Sequence, residues 1–210
     1  MKKFNKKKGF TLVELIVVIA IIGVLAAILI PTLLNYVTRS HVSNANTVAG
    51  KLRDNVTYFL TQADTEGYGM FMSHTAVCDV DISIVSGKWN VTTSDPSVFV
   101  QHYTTKWKGH GTGWFEDNNG TSETAETRLA SYLAHIFRGI NDAYVRFRLV
   151  GGVCTVLYFT EEQTTAVTEL PNFGSAQGWD VDSYSWDGRN QGVTKSGIVV
   201  GTSPLLPAGI

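Results

Sequence analysis

A long apolar run begins ten residues into the chain and limits what the chain can become. Every residue from Leu15 to Ile30 is apolar or Gly, and within residues 10–34 the polar residues are Thr11, Glu14 and Thr32. About 20 apolar residues span a bilayer as a helix, so the segment can cross a membrane. The core of a secretory signal peptide is shorter, roughly 7–15 residues, and ends in a small-residue cleavage site, whereas a proline follows this run.

Lysines precede the run and orient it. The five are Lys2, Lys3, Lys6, Lys7 and Lys8. Basic residues next to a membrane segment stay on the cytoplasmic side, which places the rest of the chain outside. The run and its flank alone predict a single-pass anchor.

Glu14 does not suit an ordinary anchor. A carboxylate in the middle of a membrane costs about 2.5–3.5 kcal/mol, and less near the end of a helix. In one interpretation Glu14 reaches the headgroups. In the other it pairs with a cation: a cut between Gly9 and Phe10 creates an α-amine four residues away, and the amine of one subunit could pair with Glu14 of its neighbour.

The residues around this cut carry a family resemblance. The stretch from Gly9 to Glu14, GFTLVE, followed by the apolar run resembles the class III signal of type IV pilins and pseudopilins, over about residues 1–63. The resemblance implies that a prepilin peptidase cuts after Gly9 and methylates Phe10, and that Glu14 sets the stagger between subunits. It also places Pro31 where family helices bend or locally melt. Because proline lacks an amide donor and crowds the preceding turn, a kink at Pro31 is also expected on physical grounds.

The apolar pattern continues beyond the membrane segment with steps of three and four residues, which predicts a helix. Its apolar positions are Tyr36, Val37, Val42, Ala45, Val48, Ala49, Leu52, Val56, Phe59, Leu60 and Ala63. The opposite, polar face carries Arg39, Ser43, Asn46, Lys51, Arg53, Asp54 and Gln62. The predicted organisation is a leader (1–9), the membrane and polymerisation half of a helix (10–34), its amphipathic half (35–63) and a globular domain (64–210).

Strand patterns dominate the globular domain. Residues 76–84 alternate between apolar and polar, as a half-buried strand does. Gly151-Gly152 predicts a hairpin that pairs residues 150 and 153, and this register sets Val145, Phe147 and Leu149 opposite Tyr158, Val156 and Cys154. Shorter strands are expected at Lys88–Thr92, Val98–Tyr103 and Ile198–Gly201.

A second helix interrupts these strands. Its apolar face is Leu129, Leu133, Ile136, Phe137 and Ile140. We expect Thr121 or Ser122 as its N-cap and Gly139 as its stop. The predicted fold class is α+β, with the long N-terminal helix packed on an antiparallel sheet.

The two cysteines, Cys78 and Cys154, fall on the apolar sides of their strands. They are either buried thiols or, on an oxidising exterior, a disulfide closing a loop of about 76 residues. Many pilins of Gram-negative bacteria close a C-terminal loop with two late cysteines. This chain departs from that pattern, so the adhesive loop of those pilins does not transfer to it.

No pattern indicates an enzyme. The histidines lack metal spacing, no nucleophile or phosphate-binding motif is present, and no cofactor is expected. Calcium at Asp180, Asp182 and Asp187 is an alternative, although their spacing misses the EF-hand pattern. Without its leader the chain has 12 basic and 18 acidic residues, a formal charge of −6 that argues against nucleic-acid partners.

The sequence therefore predicts a structural subunit of a type IV pilus, used for adhesion or motility. Its partners would be further copies of itself, the prepilin peptidase and the pilus assembly machinery in the membrane. The precursor would lie in the cytoplasmic membrane with its N-terminus inside, and the processed subunit in an extracellular filament. Two alternatives remain: a pseudopilin of a type II secretion or competence apparatus, and a membrane-anchored polysaccharide-binding adhesin that keeps its lysines.

Overall fold

A computed structural model of the chain describes residues 10–65, 77–94, 125–161, 170, 173, 192–194 and 196–205. The chain divides into two compact units, Met1–Ser40 and His41–Ile210. Its elements are α1 (Leu12–Thr65), β1 (Val77–Val85), β2 (Lys88–Thr93), α2 (Ala125–Ile136), β3 (Ala143–Val150), β4 (Val153–Thr160) and β5 (Gly201–Ser203).

Helix α1 confirms the predicted long helix and runs through Pro31 without a break. From Ala45 onward the predicted apolar stripe is the buried face. Its buried members are Ala45, Ala49, Leu52, Val56, Phe59, Leu60 and Ala63. Burial of this stripe, rather than helix propensity alone, stabilises the second half of α1.

Two residues of the predicted polar face contact the sheet instead of facing solvent. Asn46 Oδ1 accepts a hydrogen bond of 2.8 Å from the Thr202 amide. Arg53 Nε donates one of 3.0 Å to the Cys154 carbonyl. Both residues flank the buried stripe, where a polar side chain can reach the backbone of the facing strands.

The described strands form one antiparallel sheet in the order β2-β1-β3-β4-β5. Strand β1 confirms the predicted alternation, because Cys78, Val80, Ile82 and Ile84 are all fully buried while the residues between them are not. This inner face packs in one core with α1 and with Leu129 and Leu133 of α2. The α+β architecture is therefore confirmed.

The β3–β4 hairpin corrects the predicted register. Val150 pairs with Val153 and Leu149 with Cys154, as predicted. Beyond them the register shifts by one residue: Phe147 lies opposite Leu157, and Val145 opposite Phe159. The cause is a β-bulge, in which Thr155 is the extra residue and its hydroxyl donates to the Arg148 carbonyl at 3.2 Å. A prediction that assumes strict alternation of the two strand faces cannot show this bulge.

The bulge divides β4 between two apolar layers. Cys154, Leu157 and Phe159 belong to the inner core. Val156 and Tyr158 point to the outer face of the sheet, where a second buried cluster contains Tyr144, Val156, Tyr158, Leu170, Ile198 and Val200. The sheet is thus covered on parts of both faces.

Ion pairs join β1 to β3 on the same outer face. Arg146 and Arg148 lie directly opposite Asp81 and Asp79. Arg148 Nε is 2.6 Å from Asp79 Oδ1, and Arg146 Nε is 2.7 Å from Asp81 Oδ1. A second nitrogen of each guanidinium reaches the second carboxylate oxygen, so both pairs are bidentate.

The two cysteines are both fully buried and are not bonded to each other, so the disulfide that the sequence allowed is not formed. The register explains why: Cys78 and Cys154 both pair with Leu149, one on each side of β3. Two strand spacings separate their Cα atoms by roughly 9–10 Å. A disulfide needs less than about 7 Å. The buried-thiol alternative is the one that the fold adopts.

Strand β2 confirms the strand predicted at Lys88–Thr92. Helix α2 ends at Ile136 rather than at the predicted Gly139. The Ile140 amide then donates a hydrogen bond of 3.2 Å to the Phe137 carbonyl, three residues back, which makes a tighter turn than the α-helix. The predicted strand at Ile198–Gly201 is also displaced: β5 begins at Gly201, and Val199 instead bridges to Val193. The predicted strand at Val98–Tyr103 and the N-caps Thr121 and Ser122 lie outside the described residues.

Glycine is required where the C-terminal segment meets α1. A Cβ on Gly201 would collide with the backbone of Ala45, and a Cβ on Gly192, whose φ is 89°, would collide with the Val42 side chain. A positive φ favours glycine because it has no side chain to clash.

Candidate processing and assembly site

Helix α1 begins two residues after the predicted cleavage bond. Phe10 and Thr11 precede the helix, and Phe10 is 85% exposed. Gly9, the other residue of that bond, lies outside the described residues. The cleavage and methylation of Gly9 and Phe10 stay predictions.

Thr11 and Glu14 form a capping box at the start of α1. The Thr11 amide and the Thr11 hydroxyl each donate to Glu14 Oε2 at 2.8 Å. The Glu14 amide in turn donates to Thr11 Oγ1 at 3.3 Å. These bonds satisfy amides that the first turn of a helix leaves without partners.

The capping box gives Glu14 a local partner that the sequence analysis missed. The signal was present, because a Ser or Thr three residues before a Glu or Gln, ahead of an apolar run, indicates a helix start. A carboxylate there is also favoured by the positive end of the helix dipole. Glu14 is thus held by its own chain.

Helix α1 carries a continuous apolar surface after Glu14. Every large apolar side chain from Leu12 to Leu34 is at least 46% exposed. Within the described residues, one helix, Leu12–Ala63, is long and apolar enough to cross a membrane. Such a surface is unfavourable in water and needs lipid or protein to cover it.

Pro31 lies inside this surface and alters the helix bonding locally. Because proline has no amide proton, the carbonyl of Ala27 has no donor four residues later. The next residue, Thr32, adds side-chain bonds to the Ile28 and Leu29 carbonyls at 3.1 and 2.9 Å. A bend or local melting at Pro31 stays a prediction.

The calcium candidates are not among the residues that the structure describes. Asp180, Asp182 and Asp187 lie outside the described residues, so calcium binding there stays a prediction. In the described part of the chain, no group of three or more His, Cys, Asp or Glu residues could hold a metal ion. A cavity of about 180 Å³ lies in the His41–Ile210 unit, and it is lined by His41, Asn44, Ala45, Thr160, Glu161 and Val199.

A family model for the prokaryotic N-terminal methylation motif matches residues 4–30. These residues include the capping box and most of the exposed apolar surface. The N-terminal segment carries a prokaryotic N-terminal methylation motif. The resemblance inferred from Gly9 to Glu14 is confirmed.

Known fimbrial proteins are similar to part of the chain. The chain is 52% identical over 52 residues to a fimbrial protein of Moraxella nonliquefaciens, which is 25% of this chain and 34% of that protein. It is 55% identical over 47 residues to the type IV major fimbrial protein FimA of Dichelobacter nodosus, 22% of this chain and 30% of that protein. It is 50% identical over 48 residues to the type IV major alpha-pilin of Moraxella bovis, 23% and 28% of the two chains.

The similarity covers only part of this chain and part of each relative. The chain spans about a third of the length of the curated relatives that it matches. No solved structure matches it significantly. The matched proteins are named as fimbrial proteins and a pilin, in agreement with the prediction of a structural protein.

Proposed function

We propose that the protein is a structural subunit of a type IV pilus that polymerises through the apolar half of α1 and serves adhesion or motility. One observation carries the proposal: the prepilin motif lies on a helix whose large apolar side chains are all exposed between Leu12 and Leu34. Two environments can cover such a surface in turn, the bilayer before assembly and neighbouring copies after it.

Processing between Gly9 and Phe10 separates these two states. The leader holds five lysines, and removing it takes away the charge that retains the N-terminus in the cytoplasm. A prepilin peptidase would make the cut and methylate Phe10, and membrane assembly machinery would move the subunit into an extracellular filament.

The new amine of Phe10 gives Glu14 a second partner. In a filament core without water, a lone carboxylate is costly, while one paired with a cation and hydrogen-bonded is tolerated. The pair would fix the stagger of adjacent subunits. Glu14 thereby selects one arrangement among the many that an apolar surface alone allows.

Intact-mass analysis of protein shed from the cell surface tests the processing step. We expect the loss of residues 1–9 and the gain of one methyl group. Gly9→Val should block the cut because a branched side chain crowds the scissile bond. Gly50→Val is the matched control, since it lies outside the apolar half of α1 and no atom beyond its own turn of helix lies within 4 Å of a Cβ there. A shed subunit that retains its leader would refute the proposal.

Electron microscopy of cells that produce Glu14→Gln tests the assembly step. Glutamine keeps the shape and the capping bonds but removes the charge, so the subunit should be inserted and cut normally. Filament number and length should fall sharply. Wild-type filaments from this variant would show that Glu14 has no role in assembly. Short stubs in wild-type cells would favour a pseudopilin instead.

A further inference from the structure

We propose that the cavity at the end of β4 binds a primary alkylammonium ion, that is, a short hydrocarbon chain that ends in an –NH₃⁺ group. The Glu161 carboxylate pairs with the charge, and apolar side chains of the lining cover the hydrocarbon. The cavity shares no residue with the apolar surface of Leu12–Leu34 on which the proposed pilus function depends.

Three segments of the chain enclose this cavity of about 180 Å³. Its lining residues come from α1 (His41, Asn44 and Ala45), from the end of β4 (Thr160 and Glu161) and from the C-terminal segment (Val199). The polar side chains of His41, Asn44 and Glu161 are exposed. Ala45 and Thr160 are buried. The cavity therefore has an accessible polar rim and an enclosed floor.

The polar side chains of the rim are available to a ligand. In the part of the chain that the structure describes, the side chains of His41, Asn44 and Glu161 form no hydrogen bond or ion pair. Among the described lining residues, Glu161 carries the only formal charge at pH 7, with histidine counted as neutral. This charge favours a cationic ligand, because a hydrogen bond to an ionised group is about twice as strong as a neutral one.

The lining suits an organic cation better than a metal ion. Within the described residues, no group of three or more His, Cys, Asp or Glu could hold a metal. A volume of about 180 Å³ equals that of about six water molecules, which is more space than a bare ion fills. Ala45 and Val199 add hydrocarbon to the lining, and an alkylammonium stem packs on such a surface while its charged head stays with polar groups.

The number of hydrogen-bond acceptors suits a primary ammonium group. Such a group has three N–H donors, and Glu161, Asn44 and Thr160 each carry a side-chain oxygen that can accept. A guanidinium has five donors in a fixed plane and would leave some of them without an acceptor. The ligand class is therefore a primary ammonium on a chain of about four carbons, the length of a lysine stem.

Titration of n-butylammonium chloride into the full chain in a non-ionic detergent at pH 7, followed by calorimetry, tests the proposal. We expect saturable binding. Glu161→Gln keeps the shape of the side chain and removes its charge, so the affinity should fall about tenfold or more. Asn44→Leu replaces an acceptor by hydrocarbon and should weaken binding about two- to tenfold.

Asp54→Asn is the matched control for net charge. It also removes one negative charge, but from an exposed position on α1 that does not line the cavity. Its affinity for n-butylammonium should equal that of wild type. Circular dichroism of each variant shows whether the fold is retained.

A second ligand distinguishes two sources of the same chemistry. Nα-acetyl-lysine amide carries the same ammonium group and stem on a peptide backbone. Binding of both compounds would show that the cavity admits a lysine side chain of another protein. Binding of n-butylammonium alone would restrict the ligand to free amines. Either result supports the proposal.

Four results would overturn it. These are the absence of saturable binding, an unchanged affinity in Glu161→Gln, an equal affinity for butyrate, which has the opposite charge, and displacement of n-butylammonium by Zn²⁺, which would assign the cavity to a metal. Filament assembly is not measured in this experiment, so its failure would leave the proposed pilus function standing.

Discussion

Leu149 lies between the two cysteine residues on the inner face of the sheet. Its neighbours across β1 and β4 are Cys78 and Cys154, each fully buried. Burial raises the pKa of the Cys154 thiol to about 12 because a thiolate would lose its hydration there. A thiol in this state reacts poorly, since the thiolate is the nucleophile.

We expect neither thiol to react with iodoacetamide in the folded protein at pH 8. Both should react after unfolding in urea without any reductant. Mass spectrometry of the alkylated chain counts the modified thiols in each state. A chain that gains no label on unfolding until a reductant is added would contain the disulfide that this register excludes.

Gly201 must be a glycine because the backbone of Ala45 lies next to it. Gly201→Ala would drive a methyl group into the Ala45 backbone of α1, and the backbone cannot move aside without displacing β5. Forced overpacking of this kind costs about 1–3 kcal/mol. Urea unfolding of the processed chain in detergent, followed by tryptophan fluorescence, should show this loss. The control Gly139→Ala has open space around the added Cβ and should change stability little. Equal midpoints for the two variants would contradict the close approach.

At the scale of elements, β1 and β3 are joined by charge as well as by backbone hydrogen bonds. Arg148 is the more enclosed arginine, with a side chain 10% exposed against 15% for Arg146. Its guanidinium also lies 4.7 Å from the centre of the Phe173 ring. Removing its carboxylate partner would leave an enclosed cation without this ion pair.

Asp79→Asn should therefore lower the free energy of unfolding by about 1.5–3 kcal/mol, the usual value for a hydrogen bond to a charged group. Asp54→Asn, on the exposed side of α1, should change it by less than about 0.5 kcal/mol. The difference should appear as a lower urea midpoint for Asp79→Asn alone. If both variants matched wild type, the ion pair would contribute nothing to folding.

Elements with one unbroken period could be predicted from the sequence. The stripe from Ala45 to Ala63 and the alternation from Cys78 to Ile84 follow directly from periods of 3.6 and 2. Strand β4 could not be predicted in full, because a bulge at Thr155 breaks the period of 2 without leaving a Gly or Pro to mark it. The end of α2 was misplaced because Ile140 is apolar and packs on the core after the helix has already ended.

At the scale of the whole molecule, the candidate site could be predicted largely because it is local in sequence. Gly9 to Glu14 and the apolar run form one continuous segment, so no long-range contact was needed to assemble it. The capping box was overlooked although its spacing was visible. Contacts between distant segments, such as Arg53 with Cys154, depend on the packing of α1 on the sheet and have no local pattern.

The division into two units predicts how the chain behaves when it is shortened. Residues 41–210 contain the buried stripe of α1, the sheet and α2, and lack the exposed apolar surface of Leu12–Leu34. This shortened chain should be folded and soluble without detergent, while the processed full chain should require detergent. Circular dichroism and size-exclusion chromatography provide the measurement. Aggregation of the shortened chain would show that its core depends on residues before His41.

The bulge at Thr155 makes the length of β4 as informative as its composition. Deleting Thr155 would remove the extra residue, so Cys154 and Val156 would follow one another in a regular strand and the residues after them would keep their present faces. Inserting one residue after Val156 would instead turn Leu157 and Phe159 outward and carry the phenol of Tyr158 into an apolar core. Relatives of this domain should accordingly tolerate the loss of the residue at Thr155 far better than the gain of one residue after Val156.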